Sequence, residues 1–188
     1  MPIRAVKTLC VRTDKARWKK VATEDPPWDE RNRLIGSLIP ENSSIVDLGS
    51  GAMTLKRHLK AGCHYQPCDV VRSPEVLFCD FNERIYPALD RHFDYTVCSG
   101  ILEYMRDPAD FLTRISRYGS TALLSYNPLI EGETRISRLG KGWVNHFTQS
   151  ELEELFARVG LKFELVLRRD QSEVTYKLVS LAREESAA

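Results

Sequence analysis

The sequence predicts an α/β fold, in which a doubly wound, mostly parallel sheet of seven strands ends in an antiparallel hairpin. Short apolar runs that are typical of buried strands alternate with helical patterns along most of the chain. The last two strand patterns are joined by a short polar turn around DQSE, and a connection of this length implies antiparallel pairing. The 188 residues, of which 43% are hydrophobic, are enough for one domain with a sizeable core.

The first half of the chain contains two predicted helices and four predicted strands. Pro26 and Pro27 introduce a helix in WDERNRLIGSLI, whose apolar residues recur at helical spacing, and Pro40 ends it. SSIVDLG is typical of a short buried strand, and AMTLKRHLKAG of a helix that ends at Gly62. The segments HYQPCDV, EVLFCDF and FDYTVCSG are the next three predicted strands.

The second half continues the alternation. Asp107 is typical of a helix N-cap and Pro108 of a first helical position, so a helix is predicted in ADFLTRISRY. A buried strand, STALLSY, follows. Thr148 and Glu151 then form a capping-box pattern before the helix LEELFARVG. The segments KFELVLRR and VTYKLVSLAR form the terminal hairpin.

Charge and cysteine content exclude several classes of partner. The 27 basic and 26 acidic side chains nearly cancel, so neither nucleic acid nor a membrane surface is an expected partner. No apolar run has transmembrane length, and MPIRAVKTLCVRTDK lacks the apolar core of a signal peptide, which predicts a cytoplasmic protein. The five cysteines match no zinc-site spacing, so we expect reduced thiols and no metal. Nothing in the sequence sets the oligomeric state.

Three carboxylates follow successive predicted strands. Asp47, Asp69 and Asp80 stand at the carboxyl ends of the first, second and third strands. In a doubly wound sheet these ends meet near the point where the strand order reverses, and ligands bind there. Asp69 lies 20 residues after Gly49, a spacing at which an acid reaches a ribose diol in nucleotide-binding folds. The three acids therefore predict a site for a nucleoside-containing cofactor.

Four segments in this order resemble the class I S-adenosylmethionine-dependent methyltransferases, in particular small single-domain members of the type 11 and MetW-like kind: IVDLGSG, YQPCDVV, VLFCDFN and FDYTVCSGILEYMRDPADFL. The resemblance extends from about Ser44 to Arg183 and includes NHFTQSELEELFARVGLKF and the terminal hairpin. It implies a Rossmann-like methyltransferase fold, S-adenosylmethionine as cofactor and methyl transfer as the reaction. Residues 41–188 would form the cofactor-binding domain, and residues 1–40 a helical, basic segment that covers the active site.

The resemblance also implies nine cofactor-binding residues on the strand ends and in the loop after the first strand: Asp47, Gly49, Ser50, Gly51, Asp69, Asp80, Phe81, Ser99 and Gly100. Within this set, Asp69 would bind the ribose hydroxyls and Asp80 would meet the adenine amine. The loop around Gly49 would pass close to the methionine and adenosine parts of the cofactor.

Met53 stands where a dinucleotide-binding loop often carries a third glycine. Such a loop needs glycines because its backbone must approach a pyrophosphate closely, whereas S-adenosylmethionine has no phosphate. We expect position 53 to belong to the following helix and to project its side chain away from the cofactor. An NAD oxidoreductase is the disfavoured alternative, because Thr54, Asp47 and the terminal hairpin all depart from its pattern.

Candidate catalytic residues follow the fourth and fifth strands. Methyl transfer depends mainly on alignment in a dry pocket, and an acceptor that loses a proton also needs a positioned base. Glu103 and His146 are the predicted catalytic residues, with Tyr104 and Tyr126 as further candidates. The alternative for His146 is a hydrogen-bonded structural histidine.

Basic residues concentrate in the first 22 residues and in the connection from Asn127 to Phe147. Loops as long as this connection are usually functional, so Arg135, Arg138 and Lys141 are expected to clamp an anionic acceptor. A solvated basic surface is the alternative for both segments. The predicted substrate is thus a small, anionic molecule, and a non-catalytic, methyltransferase-like binding subunit is the alternative function.

Overall fold

The fold is that of a computed structural model, which describes residues 3–22, 28–170 and 172–181. The helix signals Pro26 and Pro27 lie outside the described residues, as do residues 182–188 at the end of the resemblance.

Seven strands form one sheet in the order β3-β2-β1-β4-β5-β7-β6, which confirms the predicted fold class. The strands are β1 (Ser44–Leu48), β2 (His64–Asp69), β3 (Leu77–Phe78), β4 (Phe93–Ser99), β5 (Gly119–Tyr126), β6 (Leu161–Arg169) and β7 (Glu173–Ser180). β7 runs antiparallel to both of its neighbours, and the other paired strands are parallel. The strand order reverses between β1 and β4, so a crevice opens at the carboxyl ends of these two strands.

Helices cover both faces of the sheet. The described α-helices are α1 (Ile3–Cys10), α2 (Lys15–Val21), α3 (Asp29–Ser37), α4 (Pro108–Ile115), α5 (Arg135–Gly140) and α6 (Gln149–Arg158). Ile35 of α3 packs on one face, whereas Phe111 of α4 and Phe156 of α6 belong to the larger core cluster on the other. The predicted Asp107 cap and the Thr148 capping box are both present. In the part of the chain that the structure describes, no helix has the length and apolar character that crossing a bilayer requires.

The connection after β1 differs from the predicted helix. Residues 51–53 form a turn, and a short 3-10 helix, Thr54–His58, takes the place of an α-helix. Gly49 and Gly51 both adopt positive φ angles, of 82° and 51°, and Met53 follows with a φ of 54°. Because these residues adopt left-handed conformations, they cannot form the first turn of the α-helix that the sequence predicts before β2. Met53 is therefore not helical, and the prediction that position 53 belongs to the following helix is wrong.

The connection between β5 and α6 is not structureless either. It contains α5, whose N-cap Thr134 accepts a hydrogen bond from the amide of Ser137. Helix α1 packs on α5, and the Thr8 hydroxyl donates to the carbonyl of Leu139 at 2.9 Å. The N-terminal segment is thus joined to this connection across the carboxyl edge of the sheet.

Candidate active site

A cleft of about 1250 Å³, counted with its open mouth, lies at the carboxyl ends of β1, β2 and β4. The nine residues predicted to bind a cofactor all line it, and so does Glu103. Met53 is not among the lining residues, although both of its neighbours, Ala52 and Thr54, are. The residues predicted from the sequence therefore lie together in one cleft, even though the local conformation at position 53 differs from the one expected.

Asp69 organises the loop after β1. Its Oδ2 accepts a hydrogen bond from the Gly51 amide at 2.9 Å, and its Oδ1 accepts one from the Val71 amide at 2.8 Å. Gly51 faces open space, since a Cβ placed there would meet no atom within 4 Å. At Gly49 the space is closed, because a Cβ would come within 2.5 Å of Ile101 Cδ1. The carboxylate therefore fixes the backbone at Gly51, a partly buried residue that lines the cleft.

Asp47 is buried, with 3% of its surface exposed. Its Oδ2 accepts a hydrogen bond from the Tyr65 hydroxyl at 2.6 Å. Burial raises the pKa of Asp47 to about 7; the nearby charge of Asp69 also raises it, whereas the Tyr65 hydrogen bond and Arg31 lower it. A cationic ligand beside this carboxyl group would favour its ionised form.

Asp80 is held by the N-terminal segment. Its Oδ1 accepts a hydrogen bond from the Thr13 hydroxyl at 2.6 Å, and the Lys15 ammonium lies 3.2 Å from its Oδ2. Arg12 pairs with Glu83 at 3.3 Å beside this contact. The residues between α1 and α2 consequently lie across the end of the cleft where Asp80 stands.

Two polar residues of α3 reach the end of β4. The guanidinium of Arg31 donates to Ser99 Oγ at 2.8 Å and to Glu173 Oε2 at 3.2 Å, and Ser99 Oγ donates to Asn32 Oδ1 at 2.6 Å. A Cβ on Gly100 would collide with the same guanidinium. Neither Arg31 nor Asn32 was predicted from the sequence as a site residue. The available signal was their position one turn before Ile35, on the buried stripe of α3.

Glu103 is a buried carboxyl group, with 1% of its surface exposed. Its Oε1 accepts hydrogen bonds from the backbone amide of Asn127 at 2.9 Å and from the Asn127 side chain at 2.8 Å. Its Oε2 has no hydrogen-bond partner among the described residues. Burial raises the pKa of Glu103. The Glu103 carboxyl group is therefore held in place through Oε1, and its Oε2 can accept a hydrogen bond from a ligand.

His146 does not line the cleft, so the prediction that it faces the mouth of the site is wrong. Its neighbours hold the segment elsewhere: the Asn145 side chain donates to the Leu102 carbonyl at 2.6 Å, and the Phe147 amide donates to the Tyr126 hydroxyl at 3.0 Å. Burial lowers the pKa of His146, and its Nδ1 is buried without a hydrogen-bond partner in the described part of the chain. Tyr126, a further candidate base, is also absent from the cleft lining.

The predicted basic clamp is only partly at the surface. Arg138 is completely buried, where it pairs with Glu133 at 2.7 Å and lies over the Trp143 ring at 4.6 Å. Lys141 pairs with the other oxygen of Glu133, also at 2.7 Å. Arg135 alone of the three is both exposed and outside these ion pairs. Arg138 therefore stabilises the connection from within and cannot clamp a ligand.

The cysteines and acids form no metal centre in the described ranges: no three His, Cys, Asp or Glu side chains gather there. The five cysteines are free thiols, and Cys68, Cys79 and Cys98 are buried. Burial raises the pKa of Cys68 to about 12, which makes its thiol unreactive near neutral pH.

No protein-family model matches the chain, and no curated protein matches it in sequence. Its fold is similar to that of 1,6-didemethyltoxoflavin-N1-methyltransferase from Burkholderia thailandensis, solved with 1,6-didemethyltoxoflavin and S-adenosylhomocysteine bound (17% identity, 96% of this chain and 90% of that chain, TM-score 0.63). It is also similar to a SAM-dependent methyltransferase from Aquifex aeolicus (14% identity, 89% of this chain and 99% of that chain, TM-score 0.64). A third similar structure is the cyclase SpnF (14% identity, 81% of this chain and 80% of that chain, TM-score 0.62). These similarities establish the class I methyltransferase fold. Since the fold also belongs to a cyclase, the reaction has to be argued from the residues of the cleft.

Proposed function

We propose that this protein is an S-adenosylmethionine-dependent methyltransferase that acts on a small molecule. The observation that carries the proposal is the convergence of Asp47, Asp69 and Asp80 on one cleft, at the reversal point of the strand order. Burying three carboxylates in one cleft lowers the stability of the fold. A bound cofactor that has several hydrogen-bond donors and a positive charge would compensate for this loss.

The lining residues fit this cofactor better than a dinucleotide. Gly51 offers open space beside its backbone, and the buried hydroxyl of Ser50 lacks a hydrogen-bond partner among the described residues. The carboxylates oppose a pyrophosphate but suit ribose hydroxyls, an adenine amine and a sulfonium. In this proposal Asp69 binds the ribose, Asp80 and Phe81 meet the adenine, and Asp47 lies near the positive charge.

Arg31 completes the proposed cofactor site. Its guanidinium lies against Gly100 and donates to the side chain of Ser99. It is the buried cation at the end of β4, where the resemblance places the methionine portion of the cofactor. We assign to it the α-carboxylate of that portion, since guanidinium groups bind carboxylates strongly.

The remaining residues would prepare the acceptor. Bound S-adenosylmethionine supplies an electrophilic methyl group: the acceptor atom bonds to the methyl carbon as the carbon–sulfur bond breaks, and the acceptor's proton passes to a base or to water. Glu103 is the proposed base or hydrogen-bond acceptor, in place of His146, because its free oxygen belongs to a residue that lines the cleft. Residues 1–40 would cover the site and exclude water, a role that the contacts of Thr13 and Lys15 with Asp80 support.

Two finer expectations remain part of the proposal. An anionic acceptor is a second candidate, supported by Arg169 in the cleft lining, although Glu173 pairs with it. We also propose a cytoplasmic location, because the five cysteines are all unpaired.

We disfavour the non-catalytic alternative, since a binding subunit would have no need for a buried carboxyl group such as Glu103 beside the cofactor residues.

The test is calorimetric titration with S-adenosylhomocysteine, S-adenosylmethionine and NAD. We expect the first two to bind and NAD not to bind. Asp69→Ala should weaken binding of both at least about tenfold, because ribose hydroxyls left without an acceptor in a closed site cost about 1–3 kcal/mol. Asp69→Asn should weaken it less, since the amide retains one oxygen.

A matched control separates the ribose contact from loop stability. Asp94 also accepts two hydrogen bonds, from the amide and the hydroxyl of Ser44 at 2.7 Å each, but it is exposed and lies outside the cleft lining. Asp94→Asn should leave cofactor affinity unchanged. Unchanged affinity in Asp69→Ala would refute the ribose assignment, whereas binding of NAD alone would refute the proposed function.

A further inference from the structure

Aromatic side chains line the same cleft as the proposed cofactor residues. The chain has three tryptophans, and all three line this one cleft. We call the part of the cleft formed by Trp18, Trp28, Trp143, Tyr104, Glu103 and Asn127 the aromatic chamber.

Contacts within the aromatic chamber hold its walls together. The rings of Trp18 and Tyr104 meet edge to face, with centroids 4.6 Å apart. The Trp143 indole donates to the Tyr104 hydroxyl at 3.2 Å, and Arg31 lies over the Trp28 ring at 5.6 Å. Cations of the protein already lie over all three indoles: Arg17 over Trp18 at 5.1 Å, Arg31 over Trp28, and Arg138 and Lys141 over Trp143 at 4.6 Å each. The chamber therefore suits a flat ring that stacks against its walls, and the indole faces do not by themselves select a cation.

One buried acceptor of the chamber, Glu103 Oε2, has no hydrogen-bond donor among the described residues. Among the described lining residues, two buried side-chain oxygens have neither a hydrogen bond nor an ion pair: Ser50 Oγ in the cofactor loop and Glu103 Oε2 in the chamber. The neighbouring cations do not fill this need, because Arg31 and Arg169 both pair with Glu173. A ligand that brings a donor to Glu103 would satisfy a carboxyl group that is otherwise costly to bury.

We propose that the methyl acceptor is an amine that carries an aromatic ring, with the ring against the tryptophans and a nitrogen donor on Glu103 Oε2. The assignment rests on the proposed function, since it names the substrate of the same site. The unpartnered carboxylate favours nitrogen over oxygen: an ammonium group attracts Glu103, whereas a phenolate or a carboxylate would repel it. In this proposal Glu103 Oε2 takes a proton from the ammonium group, and the freed lone pair of the nitrogen bonds to the methyl carbon as the carbon–sulfur bond breaks. This acceptor class replaces the anionic one that the basic segments suggested.

The experiment compares probes of similar shape and different charge. 2-Phenylethylamine, 3-phenylpropanoate and 3-phenylpropanol are titrated into the protein in the presence of S-adenosylhomocysteine. Tryptophan fluorescence reports occupancy, because every tryptophan of the chain lies at the cleft. We expect the amine to bind at least about tenfold more tightly than the carboxylate or the alcohol.

Glu103→Gln tests the role of the carboxylate directly. Glutamine keeps an oxygen for Asn127 and removes the charge, so the preference for the amine should disappear. Glu154→Gln, at an exposed position of α6 outside the cleft lining, is the matched control and should retain the preference. Circular dichroism checks that both variants fold.

Three results would overturn the assignment: equal or tighter binding of the carboxylate, equal binding of the alcohol, or a preference that survives in Glu103→Gln. If that variant does not fold, the comparison of probes on the unmodified protein decides alone. Absence of S-adenosylhomocysteine binding in calorimetry would instead refute the proposed function, and the probe comparison without the cofactor product would still test the chamber.

Discussion

Replacing Asp47 with asparagine should make the protein more stable near pH 8 and leave its stability near pH 4 almost unchanged. Burial raises the pKa of this carboxyl group from 3.8 to about 7 in the folded chain. Between these two pKa values, the folded chain keeps a proton that the unfolded chain has lost. Raising the pH through this window therefore lowers the free energy of unfolding, and above about pH 7 the dependence ends. A difference of about three pH units corresponds to roughly 4 kcal/mol as an upper figure.

The assay is urea unfolding of the cofactor-free protein, followed by tryptophan fluorescence from about pH 4 to about pH 8. The quantity of interest is the difference in unfolding free energy between Asp47→Asn and the unmodified protein at each pH. Asparagine keeps an oxygen for the Tyr65 hydroxyl, so the change removes the charge rather than the hydrogen bond. A difference that stays constant across this range would refute the reasoning.

Asp94→Asn is the control, because folding lowers the pKa of Asp94 whereas it raises the pKa of Asp47. The amide and hydroxyl of Ser44 lower the pKa of Asp94 below 3.8, so its contribution to stability is fully present above that pH and is lost only as the pH falls further. From about pH 4 upward, the difference between this variant and the unmodified protein should therefore be nearly constant.

The same carboxyl group should make cofactor binding depend on pH. In the proposed site the sulfonium charge lies near Asp47 and favours its ionised form. S-Adenosylmethionine should then bind more tightly above about pH 7 than at about pH 5, as measured by calorimetry. S-Adenosylhomocysteine, which lacks the sulfonium charge, should show a weaker dependence, and equal dependences would place the sulfonium away from Asp47.

Four further substitutions test local features. Met53→Gly should change the free energy of unfolding by less than about 1 kcal/mol in urea unfolding, because relief of a left-handed backbone offsets the loss of a half-buried side chain. Thr13→Val should tighten S-adenosylhomocysteine binding about threefold or more by freeing an oxygen of Asp80 for the adenine amine; weaker binding would show that the threonine contact persists in the complex. Arg138→Met should lower the free energy of unfolding by about 3 kcal/mol, because it leaves the buried ion pair with one partner. Arg135→Met, at an exposed position of the same helix, should lower it by less than about 0.5 kcal/mol. Similar losses in the two variants would contradict the structural role of Arg138.

The strand ends were predictable because each one combines a local pattern with a topological rule. An apolar run followed by an acid identifies Asp47 and Asp69 without any knowledge of tertiary contacts. The doubly wound topology then brings the carboxyl ends of adjacent strands together, so residues far apart in sequence enter one cleft. The same logic reached Glu103, which follows β4 by a few residues.

The predictions failed where contacts outside the helix and strand patterns decide what a side chain does. The Arg138 guanidinium has the sequence environment of a surface charge, yet Glu133 and the Tyr126 hydroxyl enclose it. Its hydrogen bonds fix the connection after β5 around a buried cation. His146 was misplaced for the same reason, because the orientation of its segment depends on Asn145 reaching back to the chain after β4. Spacing along the chain contains no information about such contacts.

The wall of the cleft opposite the strand ends illustrates why function was harder to infer than fold. Arg31 and Trp28 lie on or beside α3, and Trp18 lies on α2, in segments whose sequence predicts only a helix and an excess of positive charge. Their positions depend on how helices before β1 fold back over the sheet, which no strand periodicity encodes. Lys15 pairs with Asp80 and Arg31 with Glu173, while Trp18 and Trp28 line the cleft. This segment thus contributes aromatic residues to a cleft whose acids come from other parts of the chain, and the unpartnered oxygen of Glu103 is the reason that the proposed acceptor is an amine rather than an anion.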